Sequence, residues 1–433
     1  MSGHCCCSSI IMSAVLLQVG QCGNQLGLEW WRLLAETPGQ GRELDRYPFS
    51  ARDGKLGAVF IDSEPKVLRG ARQLVRNKRL RESNIVAGQG GRGNNWAYGY
   101  HGRQGEGECG LLQRAMEALR MEAERRDCYC GTILLHSLSG GTGSGLGARL
   151  CEEIREEFPA GHILSVSVAP YQSGESPLQH YNTLLSLASL HRSADGLLLF
   201  RNDQALGPAE ALRGVPGGLS NPSCPGDSFS AMNKHIASCL AGLLLPVHSL
   251  TNASGLSLGM EPWELVRSVC PLPAAKLLHT TQACSRDRMH WDSLATSSLQ
   301  GLPHLSPEGK HHSSRALLAV ARGVQVDSFV TSTALQRLRR GHHCVPWNPF
   351  PIDHWTDPRD ELGCSHSSRR LTVCSNHSSA SDLLGQVVRR AGEMIQARAY
   401  LHWYQRHGVE TQDFQEALDT LNAIIKEYDT QGD

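Results

Sequence analysis

The stretch Ser139-Gly140-Gly141-Thr142-Gly143-Ser144-Gly145 is the part of this chain best suited to chemistry. It follows the apolar run Thr132-Ile133-Leu134-Leu135, which reads as a buried strand. It precedes Leu146 to Phe158, where Leu146, Leu150 and Ile154 recur at helical spacing. A loop without side-chain bulk that feeds a helix N-terminus points several backbone N–H groups at one place. The helix dipole favours negative charge there, so the natural guest is a phosphate. The hydroxyls of Thr142 and Ser144 suit the same guest.

The common phosphate motifs do not fit. There is no G-x-x-x-x-G-K-[ST], and Gly141-x-Gly143-x-Gly145-x-Gly147 has the wrong spacing for G-x-G-x-x-G. A rival chemistry lies in the second half, where Cys364-x-His366, Cys374-x-x-His377 and His342-His343-Cys344 offer soft ligands. Those spacings match no standard zinc module, and a chain with 20 histidines produces such pairs by chance. A zinc-bound interaction module remains an alternative on these residues.

The glycine loop resembles the signature of the tubulins and their bacterial cell-division relatives. Gly20-Gln21-Cys22-Gly23-Asn24-Gln25, Asn94-Asn95-Trp96-Ala97-Tyr98-Gly99 and Leu401-His402-Trp403-Tyr404 add three further matches in the family's order. The resemblance runs from about Met12 to Tyr428. Within the family, Asp62-Ser63-Glu64-Pro65-Lys66-Val67, Asn94 to Tyr100, Pro170-Tyr171-x-x-Gly174-Glu175 and Arg192 to Leu199 are most similar to the delta group.

That resemblance implies a GTP/GDP site with Mg²⁺, assigned residue by residue. Gln21, Cys22 and Gln25 belong to the turn that contacts phosphates and base edge. Glu64 matches the acid near the magnesium, usually acting through water. Asn95 approaches the terminal phosphate, and Ser137 with Gly141, Thr142 and Gly143 cradles the phosphates. Glu175, seven residues before Asn182, matches a ribose-binding acid. Asn202 and Asn233 match the asparagines that read guanine, since a side-chain amide offers both donor and acceptor. Phe229 occupies the place of an aromatic that stacks on the base. Counting back from Pro271-Leu272-Pro273, Glu264, with Glu261 second, matches the acid that completes a neighbouring subunit's GTPase site.

The elements that position these residues alternate in the βα manner. Strands are expected at Ala14–Val19, Ala58–Asp62, Ile163–Pro170 and Leu197–Phe200, with helices at Asn24–Leu34, Gly110–Glu124 and Pro177–His191. This pattern predicts a doubly wound parallel sheet with ligands at the strands' carboxyl ends. Residues 1–11, with Cys5-Cys6-Cys7, lie outside the resemblance, and 12–206 form the nucleotide-binding domain. The breaker-rich 207–227 reads as a linker, and 228–246 as a core helix with Met232, Ile236, Cys239, Leu240, Leu243 and Leu244 on one face. Residues 247–380, Ser-, His- and Pro-rich with Ala316–Ala321 as the clearest strand, form a smaller α+β intermediate domain. Residues 381–433 form two C-terminal helices. Between Trp291 and Arg315 the chain looks too short for the helix and lateral-contact loop of a microtubule subunit, which argues against side-by-side packing or points to a missing exon.

Composition sets bounds. The 433 residues suffice for a large core. Lys+Arg and Asp+Glu both number 42, so no net field points to nucleic acid or an anionic membrane. No apolar run has the length of a membrane span, and Ile10–Val19 lacks the charged flank of a signal peptide. The 15 cysteines read as reduced cytosolic thiols, which would leave the sequons at Asn252 and Asn376 idle. The chain lacks the acidic C-terminal run of α and β tubulins. The resemblance implies a cytoplasmic cytoskeletal protein at centrioles, basal bodies and cilia, with the nucleus as a further compartment. Its partners are other tubulin subunits and microtubule or centriole proteins. The resemblance implies a structural GTP-binding protein more than an enzyme, with any GTPase activity completed by a neighbouring subunit; the alternative is an autonomous GTPase or nucleotide switch.

Overall fold

The computed structural model describes residues 13–36, 49–51, 53–102, 110–171, 176–202, 205, 225–247, 259, 261–285, 289–360, 362 and 368–430. Glu175, Cys364, His366, Asn252, the 1–11 extension and most of the expected linker lie outside them.

The first half is built as its periodicity requires. β1 (Ser13–Val19) leads directly into α1 (Gly20–Glu36). β2 (Ala58–Asp62), α2 (Arg69–Arg76), β3 (Ile85–Ala87), α3 (Trp96–His101) and α4 (Leu111–Glu124) follow. β4 (Tyr129–Ser137) feeds the glycine turn and α5 (Gly147–Glu157). β5 (His162–Ala169), α6 (Gln179–Ser193) and β6 (Gly196–Arg201) complete the series. All six strands pair parallel, in the order β3-β2-β1-β4-β5-β6. In β1, Val15, Leu17 and Val19 pack on one face and Ala14 and Leu16 on the other, all buried. That is the mark of a strand with helices on both sides.

The long α7 (Pro225–Leu244) crosses behind this sheet. Met232, Ile236, Cys239, Leu240, Leu243 and Leu244 are buried against a core that includes Leu26, Trp30 and Leu34 of α1. The same core takes in residues of the second half. After α8 (Glu264–Val269), β7 (Leu277–Ser285) pairs parallel with β6 at Leu197↔Leu277 and Leu198↔Leu278. The remaining elements are α9 (Trp291–Gln300), β8 (Ser314–Gly323), α10 (Asp327–Thr331), α11 (Ala334–Gly341), β9 (Ile352–Asp357) and β10 (Arg369–His377). β10 lies antiparallel between β7 and β8, and β9 runs parallel to β8. The two halves thus share one sheet of ten strands.

α12 (Ala380–Gln396), the short α13 (Leu401–Gln405) and α14 (Thr411–Thr430) cover the outer face. Leu383, Leu384, Val387, Phe414, Leu421 and Tyr428 are buried against the core that holds Tyr181 and Leu184 of α6. One expectation changes here. The stretch from Trp291 to Arg315 does accommodate a helix, α9, so the chain is short only outside it. Five residues, 286–290, separate β7 from α9.

Candidate functional site

The glycine turn sits at the carboxyl end of β4, at the middle of the parallel strands, as an open-sheet fold requires of a ligand site. Gly141–Leu146 forms one widened helical turn before α5 begins. Around it opens a cleft of about 640 Å³. The loops after β2 and β3 bring Asp62, Glu64, Arg92, Gly93 and Asn94 to one flank. The loop after β5, the end of β6 and α7 bring Tyr171, Asn202, Phe229, Met232 and Asn233 to the other. Gln21, Cys22 and Gln25 at the start of α1 line the same space, as do Ser137, Gly141, Thr142 and Gly143.

Each expected site residue can now be placed. Gln21, Cys22, Gln25, Glu64, Ser137, Gly141, Thr142, Gly143, Asn202, Phe229 and Asn233 converge on one cleft. Phe229 is 39% exposed, an aromatic face beside two amides. Burial pushes the Cys22 thiol up to about 12, so it stays protonated and is no nucleophile. Thr142 Oγ1 is tied to Ser63 Oγ at 2.7 Å, which joins the glycine turn to the β2 loop.

Asn95 does not line the cleft. Its Oδ1 caps α3 by accepting from the Tyr98 N–H at 3.3 Å, and its Nδ2 donates to the Trp403 carbonyl at 3.0 Å. An Asn at this helix start is consumed by capping, so Asn94 and Arg92 face the cleft in its place. Glu264 is also committed within the chain. It opens α8, is buried, and its Oε2 accepts from the Gly259 N–H at 2.8 Å. Glu261 is the more exposed of the two acids; burial, with the neighbouring Glu264 charge, raises its carboxyl above the usual range.

Three residues gained importance only with the fold. Arg92 and Asp62 line the cleft, and Asn182 anchors its wall. Asp62 Oδ1 accepts from the Glu64 N–H at 2.8 Å, whereas Oδ2 is buried without a hydrogen-bond partner. Burial raises the Asp62 carboxyl to about 6, with the Glu64 charge adding to it and backbone hydrogen bonds opposing. A buried carboxylate oxygen with nothing to bind, beside a second acid and a phosphate-type turn, is a donor set that fits a divalent cation. Its signal in the sequence was present, since Asp62 ends the strand that Glu64 follows.

The zinc alternative gains no support. Cys374 is buried in the core with Leu318 and Trp355, while His377 packs against His312 and His342. Among the described residues no group of three or more His, Cys, Asp or Glu is placed to hold a metal. His136, the residue before Ser137, is wholly buried and hydrogen-bonded to Ser165 and Ser167; burial lowers it to about 4, so it stays neutral. No helix is long and apolar enough to cross a membrane among the described residues.

Residues 13–209, which span β1 to β6, match the GTPase domain of the Tubulin/FtsZ family. The chain carries a tubulin-type GTPase domain. Over nearly its whole length it is similar to the Tubulin delta chain of Homo sapiens, 28% identical over 473 aligned residues that cover 96% of this chain and 99% of that protein. The Tubulin delta chain of Macaca fascicularis gives the same identity and coverage. The Tubulin beta chain of Enteroctopus dofleini is 27% identical, covering 96% of this chain and 94% of that one. One per cent does not separate delta from beta. The domain implies GTP/GDP binding.

A pH prediction follows from Asp62. Its folded pKa, about 6, lies above the ordinary 3.8, so the folded state binds more protons between those values. Stability is then highest below about 4 and falls as pH rises through about 6, by at most about 3 kcal/mol from this group. Asp62→Asn should remove that loss in the nucleotide-free, metal-free chain. Urea unfolding of both proteins at pH 5 and pH 7.5 checks it, and parallel pH profiles for the two would refute the buried-carboxylate account.

Proposed function

We propose that this chain is a GTP/GDP-binding cytoskeletal subunit of delta type, acting at centrioles and basal bodies in triplet-microtubule, cilium and flagellum assembly. The observation that carries the nucleotide reading is the convergence of the glycine turn, Phe229, Asn202 and Asn233 on one cleft. In this reading the two amides read the guanine edge and Phe229 stacks on the base. Asp62 and Glu64 hold Mg²⁺, which supplies charge neutralisation to the phosphates when bound. The delta grade rests on the delta-like segments of the sequence and on the two relatives named Tubulin delta chain. Its partners are other tubulin subunits and centriole or microtubule proteins, and its compartment is the cytoskeleton of centriole and cilium.

Hydrolysis in this reading belongs to a pair of subunits. The glycine turn carries no lysine, and an acid outside the cleft must be brought by a neighbour in a head-to-tail contact: Glu261 as this chain stands, or Glu264 if docking releases it from Gly259. The autonomous-switch alternative differs in one observable, the dependence of turnover on protein concentration.

The test is nucleotide content. Purified protein should retain GTP or GDP, and Phe229→Ala should weaken guanine binding by about 1–3 kcal/mol through lost stacking. GTP turnover should rise with protein concentration and vanish on dilution. Adenine nucleotide in the preparation would refute the guanine assignment. A turnover rate per subunit that ignores concentration would move the protein to the autonomous class.

A further inference from the structure

The glycine turn has no cation of its own, yet the cleft contains one. Arg92 lines it from the β3–α3 loop, although the residue is only 6% exposed. A guanidinium is expensive to bury and is retained where a fixed planar cation is needed. Two features hold it in place. Its guanidinium carbon lies 4.8 Å from the centre of the Tyr98 ring, which itself stacks on His407 at 4.5 Å. Its backbone is pressed against the glycine turn, since a Cβ on Gly141 would come within 2.7 Å of the Arg92 carbonyl oxygen. The next two residues, Gly93 and Asn94, have φ of +57° and +51°. This left-handed turn, tolerated by Gly and Asn, folds the loop over the phosphate end.

Position along the sheet tells which phosphate. Phe229, Asn202 and Asn233 stand on the flank of β5 and β6, the base side in the reading above. Arg92 stands on the opposite flank with Asp62 and Glu64, beyond the glycine turn. A nucleotide laid from base to phosphates across the turn meets Arg92 last. Resting on that nucleotide reading, we propose that Arg92 is the cationic contact for the terminal phosphate and sets the chain's preference for triphosphate over diphosphate.

The experiment compares wild type, Arg92→Gln and Arg92→Lys by titration with GTP and with GDP, each with Mg²⁺, in variants whose melting matches wild type. Loss of a charge-assisted contact should weaken GTP about ten- to hundredfold and leave GDP within about threefold, with Arg92→Lys recovering part of the GTP affinity. Equal weakening of both nucleotides, or no change in either, overturns the assignment, because a merely structural arginine would not alter their ratio. A wild-type chain that binds neither guanine nucleotide overturns the underlying reading, and this inference with it.

Discussion

Gly140→Leu should give a folded chain that no longer retains guanine nucleotide, whereas Gly145→Val, five residues on in the same turn, should fail to fold stably. The difference lies in what a Cβ meets. At Gly140 nothing lies within 4 Å, its φ and ψ of −87° and 162° are ordinary for any residue, and it lines the cleft. A leucine there fills ligand space at no cost to the chain. At Gly145 a Cβ would stand 2.1 Å from the Trp96 carbonyl oxygen and 2.7 Å from the Tyr100 nitrogen. Those are backbone atoms of a helix, so no side chain can move aside, and the cost exceeds the roughly 1–3 kcal/mol of ordinary overpacking. Gly99 closes the same packing from the other side, where an added Cβ would stand 2.0 Å from the Gly141 carbonyl oxygen.

This changes the reason for the glycines. Gly143, one of the residues expected to cradle the phosphates, also sits tight against the chain: a Cβ there would lie 3.1 and 3.2 Å from Ser137 N and O. Gly141 and Gly145 serve close packing of the turn on α3 and the loop that leads into it, and Gly140 faces the open cleft. Thermal melts with nucleotide analysis of the purified variants separate the two effects. Wild-type nucleotide content in Gly140→Leu would rule out the cleft as the binding site, and a normal melt for Gly145→Val would rule out the packing account.

The parallel half was legible because its strands are apolar on both faces and its helices have an apolar stripe, so periodicity alone located β1, β2, β4, β5, β6 and α7. The second half was not, and β10 shows why. Arg369-Arg370-Leu371-Thr372-Val373-Cys374-Ser375-Asn376-His377 reads as a polar stretch, yet every one of these residues is buried. Their polar groups are satisfied by distant partners: Arg370 donates to the Ser238 hydroxyl at 2.7 Å, and Asn376 donates to the carbonyls of Val269 and Ala275 at 3.0 and 2.7 Å. A strand whose burial depends on residues far along the chain gives no local apolar signal. The site divided the same way. Residues in family-like segments line the cleft, but whether Asn94 or Asn95 faces it depends on which of them caps α3.

Asn182→Leu should cost stability on the order of 4 kcal/mol and release nucleotide as well. This asparagine, fully buried in α6, entered the sequence reading only as a landmark near Glu175. In the fold its Oδ1 accepts from the Trp96 N–H at 2.9 Å and the Tyr404 hydroxyl at 2.7 Å. Its Nδ2 donates to the carbonyls of Asn94 and Ser139, both at 2.7 Å. One amide therefore locks the Arg92–Asn94 loop, the start of the glycine turn and the C-terminal α13 to one another. Leucine has a similar volume, so the loss comes from stranding four buried polar groups, each roughly 1–3 kcal/mol and less than additive. Tyr404→Phe is the graded control. It removes one of the four bonds to Asn182, with a longer contact of the same hydroxyl to the Leu178 carbonyl at 3.4 Å, should cost about 1 kcal/mol, and should leave both cleft loops held by the remaining three. Urea unfolding gives the two stabilities, and nucleotide retention at low temperature reports the loops. If Asn182→Leu unfolds within about 1 kcal/mol of wild type and keeps its nucleotide, the loops are held by something other than this residue.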